Sequence, residues 1–522
     1  MPQSLSDKLI GNTAWNFAGR AGGIAVGLLL TPYMLYRLGV DGYGVWAVAG
    51  VLAGYFNLLD FGMGSSFVRQ IAALHARGDS AGIGRVVSTG AAFYAAFGAA
   101  AVLLAWFGGP AVLSLFRFPE NLSSDALFVF RTGMVLFALS NFAGAFGAVQ
   151  GGLQRMDVTN RISLGAALLT AAGTVFFLEA GWGLRGVALG NAAAVTLASA
   201  AHLASAYRLL PGLRASAALA DAKTFRELFA FGARLQSAKL ADAIVFQADR
   251  LLLAHFLGAG AAGVYQLGSS VAGHLRSLPL LLVSAVLPAA ADLDARLEKE
   301  KLRTLYLKGT KYLALAGMPL FFFAAAAAGP LVSAWLGPGY DKAAMVLRVL
   351  AAGYLANLLS GAGSSVAAAI GRPGLVGKAA LVSAVSNLAL CAGFVLLWGF
   401  DGMPFAAALS LFAGLPYFFR RLHGEMGLSS REVFSAALLR PAASALLPAL
   451  PLAALNAWLA PALAAWPRAS LGGLVLLEAA LFGAVYLASA TRKDFLDRQD
   501  RELLRRAAGR LAPFGGRGEG AC

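Results

Sequence analysis

Leu38-Gly39-Val40-Asp41-Gly42-Tyr43-Gly44-Val45-Trp46 returns 219 residues later as Leu257-Gly258-Ala259-Gly260-Ala261-Ala262-Gly263-Val264-Tyr265. The Leu-Gly pair, the second Gly-Val and the aromatic after it coincide. Each copy follows a long apolar segment, so the chain reads as two similar halves. Membrane chains of this construction are characteristically transporters, with the site where the halves meet.

Working outward from the repeat, 59% of the chain is hydrophobic and 13% charged, with mean hydropathy +0.70. An ordinary soluble domain has about 25% charged residues, which excludes that class. A membrane crossing takes about 20 mostly apolar residues. Fourteen such stretches are present, near 12–37, 43–67, 88–108, 129–150, 160–179, 184–207, 228–256, 263–289, 311–328, 343–370, 376–399, 402–419, 435–459 and 469–489. The fold class is therefore an all-α polytopic membrane protein of about fourteen helices.

Orientation follows from the basic residues. With the N-terminus inside, thirty Lys and Arg fall in cytoplasmic segments. Six (Arg37, Arg117, Arg131, Arg185, Lys342, Arg468) lie on the other side, and Arg20, Arg234, Lys239, Arg250, Arg276 and Arg348 lie within spans. This bias sets both termini in the cytoplasm. It also accounts for most of the net charge of +16 without nucleic acid. No cleavable leader is expected, because the first apolar run is long and lacks a small-residue cleavage site.

The repeat unit holds six spans, an even number, so both copies enter the membrane in the same sense and form a parallel pseudo-two-fold repeat. The expected plan is a six-helix lobe over 1–215 and a second over 221–425. An accessory pair of helices, thirteen and fourteen, occupies 435–489, with a basic cytoplasmic tail at 490–522. Within that tail Phe495, Leu496, Leu503, Leu504 and Leu511 fit an amphipathic surface helix.

Span 7 concentrates the chemistry: Arg234, Gln236, Lys239, Asp242, Gln247, Asp249 and Arg250. At about 100° per residue all but Arg234 share one stripe. Each charge facing lipid at mid-membrane costs about 2.5–3.5 kcal/mol, so the stripe faces a partner or a wet cavity. Span 1 adds Asn12, Asn16 and Arg20, and span 2 adds Asn57 and Asp60. Span 8 adds Gln266, His274 and Arg276, and span 10 adds Arg348, Asn357 and Ser360. The cations Arg20, Lys239, Arg250, Arg276 and Arg348 outnumber Asp60, Asp242 and Asp249. Such a cavity suits a phosphate-bearing head group, which Arg and Lys bind by charge-assisted hydrogen bonds. Ion pairing inside the protein, such as Arg20 with Asp60 or Lys239 with Asp242, is the structural alternative for these charges.

Other chemistry finds no support. The Gly-x-Gly-x-x-Gly at 258–263 lies in a loop between membrane helices, not a strand-to-helix turn. The five histidines form no cluster, and Cys391 and Cys522 make no metal motif. No Walker loop or nucleophile–base pair is present, so no enzyme activity, metal or cofactor is expected.

Gly11-Asn12-Thr13-Ala14-Trp15, the 38–46 turn, Leu58-Leu59-Asp60-Phe61-Gly62 with Val68-Arg69, and Asp249-Arg250-Leu251-Leu252-Leu253 with the 257–265 turn resemble bacterial polysaccharide transporters. That group is the Wzx-type lipid-linked oligosaccharide flippases (O-antigen flippases) of the MATE-like MOP superfamily. The resemblance implies two six-helix lobes around a central cationic cavity in the bacterial inner membrane. It also implies transfer of undecaprenyl-pyrophosphate-linked oligosaccharide from inner to outer leaflet by alternating access, for surface polysaccharide biosynthesis. In that reading Arg20, Lys239, Arg250, Arg276 and Arg348 hold pyrophosphate and acidic sugars. Asn12, Asn16, Asn57, Gln236, Gln247 and Asn357 contact sugar hydroxyls, and Asp60, Asp242 or Asp249 binds a coupling cation or shapes the cavity. Partners are the lipid-linked substrate, membrane lipids and a polysaccharide polymerase. The rival functions are a lipid II flippase, a cation-coupled multidrug antiporter and a non-transporting scaffold. Drug-exporting relatives mostly stop at twelve spans and carry an acidic residue in span 1, where this chain has Arg20.

Overall fold

The computed structural model describes the backbone of residues 5–58 and 62–490; the side chains of 5–18, 57, 58, 231, 233–239, 281, 284 and 285 lie outside the described set. Among the described residues the secondary structure is helical throughout. The first helices are α1 (Leu5–Leu58), α2 (Met63–Ala76), α3 (Ser80–Leu113), α4 (Glu120–Gly152), α5 (Met156–Glu179) and α6 (Gly183–Leu209). Then come α7 (Ala222–Phe256), α8 (Ala259–Ser277), α9 (Val286–Ala295), α10 (Lys299–Ala326), α11 (Ala328–Leu336) and α12 (Asp341–Leu359). The last are α13 (Gly361–Ala369), α14 (Pro373–Ala413), α15 (Leu415–Met426), α16 (Ser430–Val433), α17 (Leu439–Leu463) and α18 (Arg468–Ala490).

Two of these helices are each a pair of crossings. α1 breaks at Gly39 (φ 71°) and α14 at Gly399 (φ 60°). Positive φ is open to glycine at little cost, so the chain turns there without a loop. Ten described helices, these two included, are long and apolar enough to cross a membrane. The remaining two predicted crossings run through α7, with its charged stripe, and through α8 to α9, where Pro279 opens a 3-10 segment, Pro279–Ala285. The plan is that of a multi-pass membrane protein.

By contacts the helices group into two compact units, each discontinuous in sequence: residues 1–274 with 376–415, and residues 275–375 with 416–522. In the first, Met63, Phe67, Val87, Tyr94, Phe146 and Leu228 form one buried cluster, and Val45, Ala101, Phe130 and Met134 another. Helices α5 and α6 touch at Gly173 and Gly190, where an added methyl at Gly173 would meet the Gly190 Cα at 2.9 Å. This is the close approach that small residues permit in lipid. In the second, Ala314, Met318, Ala445, Phe482 and Tyr486 join α10 to α17 and α18. Outside these clusters large apolar side chains are exposed, among them Phe107, Leu397, Trp398, Trp458 and Leu476, as a lipid-facing surface requires.

Candidate functional site

The charged stripe of α7 passes from exposed to buried along its length. Asp242 is exposed, Gln247 and Arg250 are half-buried, and Asp249 is 1% exposed. Asp249 Oδ1 accepts the Arg250 backbone N–H at 2.9 Å and lies 3.8 Å from Arg250 Nε. Successive helix residues point about 100° apart, so the side chains cannot meet squarely. The Arg250 guanidinium therefore folds back along its own helix and donates to the Phe246 carbonyl. Tyr265 of α8, fully buried, turns its hydroxyl toward Asp249, while Tyr55 of α1 and Cys391 of α14 stand within electrostatic reach. Tyr55 donates to the Ala243 carbonyl at 3.4 Å, and Gly54 leaves room for Gln247, whose Oε1 would lie 3.1 Å from an added methyl.

Beyond this buried centre, the two copies of the repeated motif pack on each other. An added methyl at Gly44 would collide with the Ala259 carbonyl, and one at Gly263 would lie 2.9 Å from the Val40 carbonyl oxygen. Gly258 (φ 98°) ends α7, and Arg117 pins the turn: its N–H donates to the Ala254 carbonyl at 3.0 Å and its carbonyl accepts from Ala259 at 3.2 Å. The glycines of 258–263 thus serve helix contact.

In the second unit, Arg276 Nε donates to Asn357 Oδ1 at 2.8 Å, and Ser360 Oγ donates to the Asn357 carbonyl at 2.7 Å. Arg348 does not join them. It precedes Asn357 by nine residues on α12, which at about 100° each places it on the opposite face. There it is exposed, donates to the Ala325 carbonyl at 3.3 Å, and lines a cavity of about 710 Å³ with Phe322, Leu450 and Asn456.

Arg20 is exposed on α1, with half-buried His274 within its electrostatic reach. The predicted contacts Asn12, Asn16, Asn57, Asp60, Gln236 and Lys239 fall outside the described side chains, as do Arg234 and the tail helix. Two polar pairs escaped the sequence reading. Asn387 Nδ2 donates to Ser410 Oγ at 3.1 Å within α14. Glu478 on α18 faces Asn456 on α17. Each is a lone polar residue in an apolar run, and its signal was the cost of burying it.

A family model described as polysaccharide biosynthesis protein matches residues 37–345. A Shigella flexneri protein named "Putative O-antigen transporter" is 22% identical over 397 residues, covering 76% of this chain and 93% of that protein. The teichuronic acid biosynthesis protein TuaB of Bacillus subtilis is 27% identical over 158 residues, 30% of this chain and 32% of that protein. Among solved structures, the lipid II flippase MurJ in an inward closed conformation is similar with TM-score 0.67 at 14% identity, covering 92% of this chain and 100% of that one.

Proposed function

The chain belongs to the polysaccharide biosynthesis protein family, and from that premise we propose that it is a flippase for a lipid-linked oligosaccharide. It carries an undecaprenyl-pyrophosphate-linked glycan from the inner to the outer leaflet of the bacterial inner membrane by alternating access, with both termini in the cytoplasm. The activity is transport, not catalysis. The observation that carries the reading is that three cations, Arg20, Arg250 and Arg276, lie within the predicted membrane crossings. Such charges at membrane depth mark a substrate path. The curated relatives are named for O-antigen and teichuronic acid, both surface polysaccharides, which favours a glycan over a drug.

In this proposal Arg20, Lys239, Arg250 and Arg276 hold the pyrophosphate and acidic sugars. Asn16, Asn57, Gln236, Gln247 and Asn357 contact sugar hydroxyls, while Asp60, Asp242 or Asp249 takes the coupling cation. Arg348 stands apart, on the far face of α12 from Asn357. The halves 1–215 and 221–425 act as the moving lobes, helices 435–489 accompany them, and a polysaccharide polymerase receives the product. An inside-negative potential favours outward movement of the anion by about 2.3 kcal/mol per charge per 100 mV.

The test is leaflet-resolved measurement of lipid-linked oligosaccharide in cells lacking this protein. Accumulation on the cytoplasmic leaflet with loss of surface polysaccharide is expected. A normal leaflet distribution overturns the reading and turns attention to drug export. Restoring the gene as Arg20→Ala or Arg276→Ala should give markedly reduced export.

A further inference from the structure

The accessory helices hold a polar site that the flippase reading leaves unused. Glu478 lies at the middle of α18 and is 5% exposed; Asn456 on α17 is 6% exposed. The two face each other. Asn456 Nδ2 donates to the Ala326 carbonyl of α10 at 3.4 Å. Three buried oxygens, both carboxyl oxygens of Glu478 and Asn456 Oδ1, have no hydrogen-bond partner within 3.5 Å, and the Asn456 amide is the donor that stands nearest to Glu478. Three acceptors gathered around one amide in an apolar interior are under-satisfied, repel one another and forgo solvation.

Among the described residues no basic side chain relieves them. α11, packed against α18, carries no titratable residue. α17 carries only Arg440, at its first turn and sixteen residues from Asn456. The titratable groups of α10 all lie in 299–312, at least fourteen residues, or about 20 Å of helix, before Ala326. On α18 itself Arg468 is ten residues away and bonded to the Trp335 carbonyl, and Tyr486 donates to the Leu315 carbonyl at 2.9 Å. Asp341 and Arg348 belong to the same cavity as Asn456, and Arg348 is bonded to the Ala325 carbonyl.

We propose that Glu478 and Asn456 form a binding site for a small monovalent cation, a proton or an alkali ion, reached through the cavity of about 710 Å³ that Asn456 lines. A proton on Glu478 would supply the missing donor to Asn456 Oδ1. An alkali ion would take the same oxygens as ligands, the donor type that hard cations select. The site belongs to the accessory helices and does not depend on the identity of the transported lipid.

The experiment is thermal unfolding of the purified full-length protein, wild type and Glu478→Gln, across NaCl at constant ionic strength made up with choline chloride, and across pH without alkali ions. Glutamine brings its own N–H donors and removes the need for a cation. An alkali site gives a wild-type rise on the order of a few degrees with Na⁺ and a flat Glu478→Gln. A proton site gives no Na⁺ response; the stability difference between the two proteins then changes with pH, and the wild type shows a protonated-carboxyl infrared band that the variant lacks. Wild type and variant responding alike to Na⁺ and to pH, with no difference in the carboxyl band, overturns the proposal. Should Glu478→Gln fail to fold, the wild type alone decides: absence of both a Na⁺ response and a protonated-carboxyl band overturns it equally.

Discussion

At the scale of the residue, Asp249 illustrates how a buried charge constrains its neighbours. Among the described side chains its close cation is Arg250, adjacent in sequence, which stands 3.8 Å away while lying along the helix. Removing one partner of a buried pair leaves the other uncompensated, at about 3–5 kcal/mol. Arg250→Ala is therefore expected to lower the unfolding temperature sharply, and adding Asp249→Asn to restore part of the loss. Strictly additive effects in that double-mutant cycle would show that the two side chains are not coupled. Gly44 offers a steric counterpart. A methyl there meets the Ala259 backbone, which cannot yield, whereas one at Gly54 meets only the end of the Gln247 side chain at 3.1 Å. Gly44→Ala should cost about 1–3 kcal/mol or more by overpacking and reduce folded yield, while Gly54→Ala is tolerated. Equal yields of the two variants would contradict this.

At the scale of the element, α7 is fixed at its start by Asp221. The carboxyl accepts the Thr224 N–H and the Thr224 hydroxyl, each at 2.8 Å, and the Asp221 N–H donates to Thr89 Oγ1 of α3 at 3.0 Å. The Thr224 backbone N–H, then its hydroxyl, holds this carboxyl below the usual carboxylate range. A carboxyl depressed on folding stabilises fully above its unfolded value near 3.9, and that contribution is lost as pH falls through the folded value. Wild type should thus unfold at higher temperature than Asp221→Ala at neutral pH, with the gap closing in acid below about pH 4. A gap unchanged down to pH 2 would mean that the cap carries no charge-dependent stability. Much of this level was legible in the sequence. Apolar length gave the crossings, and the 100° period placed Asp249 and Arg250 on one stripe. The same arithmetic separates Arg348 from Asn357 on α12, but only contacts reveal which face meets Arg276. The break at Gly39 was legible as the turn between two crossings, but not that the chain turns there without a loop, because a glycine that ends a helix and one that kinks it read alike until φ is known. Glu478 was hidden for another reason: one carboxyl barely lowers the mean hydropathy of an apolar run, and burial and missing partners give it meaning.

At the scale of the whole molecule, the repeated motif does more than reveal duplication. Its two copies, at 38–46 and 257–265, meet backbone to backbone, and Gly263 comes within 3.0 Å of the Gly44 Cα for an added methyl. Alternating access requires a transporter to open on each side of the membrane in turn, and whether this close contact parts during that cycle is open to direct test. Asp41 and Gly260 sit across it, with Asp41 Cγ 3.5 Å from the position of a Gly260 methyl. Asp41 Cγ stands where a cysteine sulfur would, so the two positions are close enough for a disulfide bridge across the contact. In a chain with Cys391 and Cys522 replaced by alanine, Asp41→Cys with Gly260→Cys should cross-link under mild oxidation. Export of lipid-linked oligosaccharide should then stop and return on reduction, while either single cysteine leaves export insensitive to oxidant. If the cross-linked protein exports at the reduced rate, the contact does not part during transport, and the opening that admits or releases substrate lies elsewhere.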